Sequence, residues 1–92
     1  MLTTTQLDSA TRTALVVRLK SIEGQARGIQ RMLEDGRDCQ AIIDQLAALR
    51  AASHAVNMQA LEAFALYCLQ ASGDPPETVM THFLGVVAKL TR

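Results

Sequence analysis

Two cysteines, Cys39 and Cys68, are the residues of this chain with the most chemistry to offer. A thiolate attacks sulfur electrophiles, exchanges with disulfides and binds soft metal ions. Histidine occurs only as His54 and His82, neither within a turn of a cysteine. No glycine-rich phosphate loop and no acid–base partner accompanies the thiols, so an enzyme has no visible machinery here. The cysteines are 29 residues apart. On one α-helix that spacing is eight turns plus about 20°, so both share a face, roughly 43 Å apart along the axis. A disulfide needs Cα atoms within about 7 Å. The two thiols of one chain then never meet. Those of two chains meet if the helices lie antiparallel, Cys39 of one copy facing Cys68 of the other, with two equal sites per symmetric dimer. The plainer alternative is a pair of unrelated buried thiols.

Residues 38–72 must supply that helix. They read DCQAIIDQLAALRAASHAVNMQALEAFALYCLQAS, and no Gly or Pro falls between Gly36 and Gly73. A run this long without a breaker, rich in Ala, Leu, Gln and Glu, predicts one long helix. Asp38 is a good N-cap and puts Cys39 in the first helical position. Exposed N–H groups there favour a thiolate, with Arg37 next to it, whereas Cys68 gains no such help from its own helix. Ile42, Leu46, Leu49, Ser53, Val56, Ala60, Ala63 and Tyr67 form a heptad-spaced seam, and Ile43, Ala47, Leu61 and Phe64 extend it sideways. Two apolar stripes suit a helix that contacts both its own chain and a partner. The midpoint between the cysteines falls at Ser53–His54, beside Ala51, Ala52 and Ala55, whose small size permits close helix approach. Arg50 sits among the stripes, either as a buried salt-bridge partner or as part of a basic surface.

Ahead of it, a helix is predicted from about Thr11 to Asp35, with Leu15, Leu19, Ile22, Ala26, Ile29 and Leu33 as its apolar seam. Residues 1–10 are polar and read as a loose arm. Gly24 and Gly28 each cost this helix about 1 kcal/mol relative to Ala. Either tight helix packing or the backbone of another macromolecule would explain two glycines one turn apart. Between positions 12 and 31 stand Arg12, Arg18, Lys20, Arg27 and Arg31 against a single acid, Glu23. Lys20, Arg27 and Arg31 share a face, and Gln25 and Gln30 add neutral hydrogen-bonding groups. A basic stripe of this kind suits phosphate, because neutralising phosphates releases counterions; an ordinary solvated face is the alternative. Gly36 closes the first helix, since a left-handed residue is common just past a helix end. After Gly73, Asp74 is placed as a cap, Pro75 as the first helical residue and Glu77 as the capping-box acid. That third helix runs to about Leu90 on a seam of Val79, Phe83, Val86 and Leu90.

Ninety-two residues make one domain, 1–92, that is all-α, with three helices and no strand signal. Half of the residues are hydrophobic, yet only three are aromatic. A core so thin calls for oligomerisation. Lys+Arg and Asp+Glu both number nine, so only local charge can attract nucleic acid. Two cysteines are too few for a secreted disulfide framework, and no apolar stretch forms a signal peptide or membrane span. The expected compartment is the cytoplasm, with no membrane partner and reduced, available thiols.

The stretch RLKSIEGQARGIQRMLEDGRDCQAIIDQLAALRAA, residues 18–52, resembles the opening signature of the CsoR/RcnR family of small bacterial repressors. The likeness rests on R-L-x-x-I-x-G-Q-x-x-G-I-x-R-M followed by a cysteine opening the second helix, and extends over about residues 12–90. It implies an all-helical chain whose second helices pair antiparallel in a dimer, and a dimer-of-dimers tetramer. It implies an operator-binding repressor, not an enzyme, that lacks a helix-turn-helix. Arg18, Lys20, Arg27, Arg31 and Arg50 would carry the DNA, with Gln25 and Gln30 as helpers.

The inducer is the less direct inference. Copper-sensing members of that family place a cysteine on one chain and a His-x-x-x-Cys pair on the other. Cys39 matches the first position and Cys68 the last, but the histidine position holds Phe64, which cannot ligate a metal. His54 is 14 residues before Cys68 and cannot replace it on the same helix, whereas His82 stands on the third helix. Nickel- and cobalt-sensing members use more histidines, and formaldehyde-sensing members normally lack the second cysteine. A dithiol without the histidine is similar to the CstR branch, which senses persulfides. The resemblance thus implies no cofactor, with Cys39 and Cys68 as sensor thiols for reactive sulfur species. The alternative is Cu(I) bound by the two thiolates. A thiol enzyme or sulfur carrier, and a helical oligomerisation module with inert cysteines, are the readings from other classes.

Overall fold

In a computed structural model of the chain the described residues are 3, 7–70 and 73–90, with backbone alone for 68–70. Three helices account for nearly all of them: α1 (Ser9–Glu34), α2 (Cys39–Gln70) and α3 (Pro76–Leu90). No strand occurs among the described residues. The all-α, three-helix architecture is as expected from the periodicity.

The ends of the helices follow from local hydrogen bonding. α1 starts two residues earlier than its seam predicts, because Asp8 caps it: Thr11 N donates to Asp8 Oδ1 at 2.6 Å and Arg12 N to the Asp8 carbonyl at 3.1 Å. Ser9 and Ala10 are therefore helical, and the part of the expected arm at positions 1, 2 and 4–6 lies outside the described residues. At the other end Gly36 adopts φ 66°, a conformation that favours glycine. Gly36 N then donates to the Leu33 carbonyl at 3.3 Å and Arg37 N to the Met32 carbonyl at 2.9 Å, the paired closure of a Schellman turn. The Asp38 carboxylate accepts from Gln40 N at 3.3 Å and Ala41 N at 3.0 Å, so Cys39 opens α2 as expected. The predicted final residues of α2, 71 and 72, lie outside the described residues. α3 begins at Pro76 rather than Pro75, and the Pro75 carbonyl accepts from Val79 N at 3.1 Å. A residue that precedes proline is pushed out of the helical region, so Pro75 caps and Pro76 enters.

A link of a few residues between α1 and α2 makes them antiparallel neighbours, and α3 packs against α2. Where α1 lies on α2, Ile29 is the one buried hydrophobic residue among those described, 6% exposed. Ile22, Ala26, Met32, Ile42, Leu49, Ala52 and Val56 are half-buried around it. The α1 seam is only partly covered: Leu19 is 51% and Leu33 61% exposed. One neighbouring helix cannot shield the full width of an apolar stripe. The molecule is a slab of 55 × 27 × 14 Å with a radius of gyration of 17.0 Å. A compact domain of this length has about 12 Å. The chain alone thus builds two layers, with α1 and α3 on α2, and leaves much apolar surface open.

Candidate functional site

Both cysteines lie on α2, Cys39 at its first position and Cys68 two residues before its last. The helix is continuous between them, so the axial separation that follows from their spacing holds, and the thiols of one chain are far beyond bonding reach. Cys39 is a free, exposed thiol. It stands beside the Asp38 cap, whose carboxylate takes up two of the N–H groups at this helix start. The side chain of Cys68 lies outside the described residues.

Covered residues on α2 define the side that α1 occupies: Ile42, Leu49, Ser53 and Val56. By helical spacing Cys39, Ile43, Leu46, Arg50, His54 and Cys68 fall on one flank, centred about 90° round the helix from that side. Ile43, Leu46, Arg50 and His54 are exposed. Ala60 and Ala47, expected in the apolar stripes, are exposed too. Cys39, Ile43, Leu46, Arg50 and His54 on this flank are thus open in the single chain.

One turn before Cys68, the Phe64 ring stacks on Phe83 of α3, with centroids 6.0 Å apart and ring planes 9° from parallel. The place where copper-sensing members hold a histidine is thus filled by an apolar contact with α3. His54 and His82 are both exposed, His82 on a shallow groove with Glu77, Thr78 and Thr81. No group of three His, Cys, Asp or Glu that could hold a metal exists among the described residues. Phe64 offers no donor atom, so the residues present do not fit a three-ligand site that includes position 64.

The basic residues separate by face. Lys20, Arg27 and Arg31 are exposed on the side of α1 turned away from the Ile22–Ile29 row that meets α2. Arg27 Nη1 donates to Glu23 Oε1 at 3.2 Å, an i,i+4 pair. Arg18, Arg50 and Gln30 are also exposed. Gln25 is half-buried instead, and its Oε1, like that of Gln59 on α2, is buried without a donor in the single chain. Tight packing at Gly24 and Gly28 is not found within the chain: a Cβ added at either would meet nothing within 4 Å. Sequence reasoning had not singled out Phe83 as the partner of Phe64, nor Glu23 as the anchor of Arg27. The second was legible in the four-residue spacing of opposite charges.

A helical hairpin with a third helix, a basic outer face and a thiol at a capped helix start define a class of small all-α regulators. The chain belongs to the CsoR/RcnR family: the family model described as metal-sensitive transcriptional repressor matches residues 11–89. It is 42% identical over 78 residues to the copper-sensing transcriptional repressor CsoR of Bacillus subtilis, covering 82% of this chain and 76% of that one. The copper-sensing transcriptional repressor RicR of Mycobacterium tuberculosis is 30% identical over 79 residues, 82% of each chain. Among solved structures, the Cu(I)-bound repressor CsoR of Geobacillus thermodenitrificans superposes with a TM-score of 0.76 at 32% identity, covering 100% of this chain and 95% of that one. A variant of the formaldehyde-responsive regulator FrmR of Salmonella enterica serovar Typhimurium gives 0.79 at 25% identity, with 91% and 94% covered. The family consists of transcriptional regulators, and no described helix is long and apolar enough to cross a membrane.

Proposed function

We propose that this protein represses transcription by binding operator DNA through the basic face of α1 with Arg50 of α2, and that a ligand shared by Cys39 of one subunit and Cys68 of its partner releases it. The observation that carries the shared site is the continuous α2, which keeps the two thiols of one chain apart. Antiparallel pairing of α2 across a two-fold axis supplies the partner thiol and covers Ile43 and Leu46. A dimer of such dimers completes the tetramer.

Cu(I) is the inducer that the copper-sensing relatives support. In this chain it would be held by two thiolates, without a third ligand from position 64. The Phe64–Phe83 stack favours a second reading, in which the inducer is a reactive sulfur species. The Cys39 thiolate attacks the terminal sulfur of a persulfide, takes that sulfur and releases the donor's thiol. The partner's Cys68 thiolate then attacks the Cys39 sulfur, expels hydrosulfide and leaves a disulfide between subunits. The persulfide is the oxidant, and two thiols are consumed per bridge.

One experiment separates the readings. The reduced protein on labelled DNA is titrated with Cu(I) under a competing chelator, and in parallel with an organic persulfide. Stoichiometric tight Cu(I) binding with DNA release assigns copper. A chain dimer on a non-reducing gel, lost in Cys39→Ser and in Cys68→Ser, with DNA release, assigns reactive sulfur. No response of DNA binding to either, or an unchanged response in the double cysteine variant, ends the shared-thiol proposal.

A further inference from the structure

Gly24 is out of place by every intrachain criterion. It lies in mid-α1 with a helical backbone, and Gly36 is the glycine with positive φ. It is exposed, and a Cβ added there would meet nothing within 4 Å. Neither conformation nor packing within the chain demands glycine, while alanine would favour the helix. Around it on the same outer face stand Lys20 four residues before, Arg27 three after and Arg31 seven after, all exposed. Lys20 and Arg31 are about 16 Å apart along the axis. Arg27 is held over this face by its bond to Glu23.

From this placement we infer that Gly24 is where the DNA phosphodiester backbone comes closest to α1, between cations that hold the phosphates on either side. The inference rests on the DNA-binding reading above and specifies its seat. Without a Cβ the phosphate oxygens approach the helix surface to the distance at which short cation–phosphate contacts form on both sides at once. A methyl group there holds the strand away and lengthens all of them together. A second copy of the chain is the weaker occupant. A two-fold pairing of this face sets one cluster of Lys20, Arg27 and Arg31 against an identical cluster of like charge.

The test uses the full-length protein and a fluorescent mixed-sequence DNA duplex of about 30 base pairs at low salt, where phosphate contacts supply the affinity. Gly24→Ala is expected to raise Tm by a few degrees and to weaken DNA binding about tenfold. Gly85→Ala, at an exposed glycine of α3 with equally open surroundings, raises Tm and leaves DNA binding unchanged. Unchanged DNA affinity in Gly24→Ala, with Arg27→Ala weakened, overturns the seat and keeps the DNA face. Unchanged affinity in Arg27→Ala overturns the face itself. A Gly24→Ala protein that changes oligomeric mass at equal DNA affinity per assembly assigns the glycine to a chain–chain contact and also overturns the seat.

Discussion

The rings of Phe64 and Phe83 lie 6.0 Å apart and within 9° of parallel, so α3 is joined to α2 one turn before Cys68. The position four residues before Cys68 thus holds an apolar ring in a stack and no imidazole.

Phe83→Ala removes the stack and half-buried apolar area, at a cost of about 2 kcal/mol. Thermal unfolding checks the value, and an unchanged Tm would mean that the contact does not hold α3.

Phe64→His restores an imidazole four residues before Cys68. Cu(I) affinity in a chelator competition is expected to rise at least about tenfold, because a nitrogen joins the two thiolates as a third donor. Equal affinity in both proteins would show that position 64 does not limit metal binding.

Glu23→Gln frees Arg27 for phosphate and removes an anion from the basic face. Exposed pairs are worth about 0–1 kcal/mol, so DNA affinity should rise about two- to fivefold, with a steeper salt dependence. Weaker binding would show instead that Glu23 orients Arg27 productively. Arg18→Ala or Arg27→Ala should act in the opposite direction and flatten the salt slope.

Asp8 gives α1 a pH-dependent start. The backbone hydrogen bond from Thr11, aided by the Thr11 hydroxyl, holds its carboxyl below the ordinary range. The folded value is depressed, so the cap contributes fully above the unfolded value and is lost as pH falls through the folded one. Amide exchange at Thr11 should therefore quicken below about pH 4. Asp8→Asn keeps a cap but removes the titration, so that acid dependence should vanish.

Asp38→Ala removes the acceptor for Gln40 N and Ala41 N. About 1 kcal/mol of stability is expected to go with it. Alkylation of Cys39 should change in rate as the first turn of α2 frays, and a constant rate with an unchanged Tm would mean that the cap does not position the thiol.

Helices and their ends were largely legible from residue types. The breaker-free run 39–70, Gly36 in a left-handed turn and Asp38 as a cap each have a local cause, and local causes are written in neighbouring residues. The misreadings are instructive. Asp8 as the α1 cap was missed because polar residues around it hid the start, and Pro75 was placed inside α3 although the proline after it forbids that. The α1 seam was read correctly in direction but too broadly in burial, since Leu19 and Leu33 stay open.

What the amino-acid order determined by itself is the helical class, the 29-residue spacing that bars an intrachain bridge, and the family signature. Periodicity and capping act over a few residues and need no knowledge of the rest of the chain. Only the tertiary structure decided that Phe64 rests on Phe83, that Gln25 turns inward while Lys20, Arg27 and Arg31 face out, and that a Cβ at Gly24 would meet nothing within 4 Å. Those outcomes depend on which helix lies against which, and contacts between elements distant in the chain have no local signal.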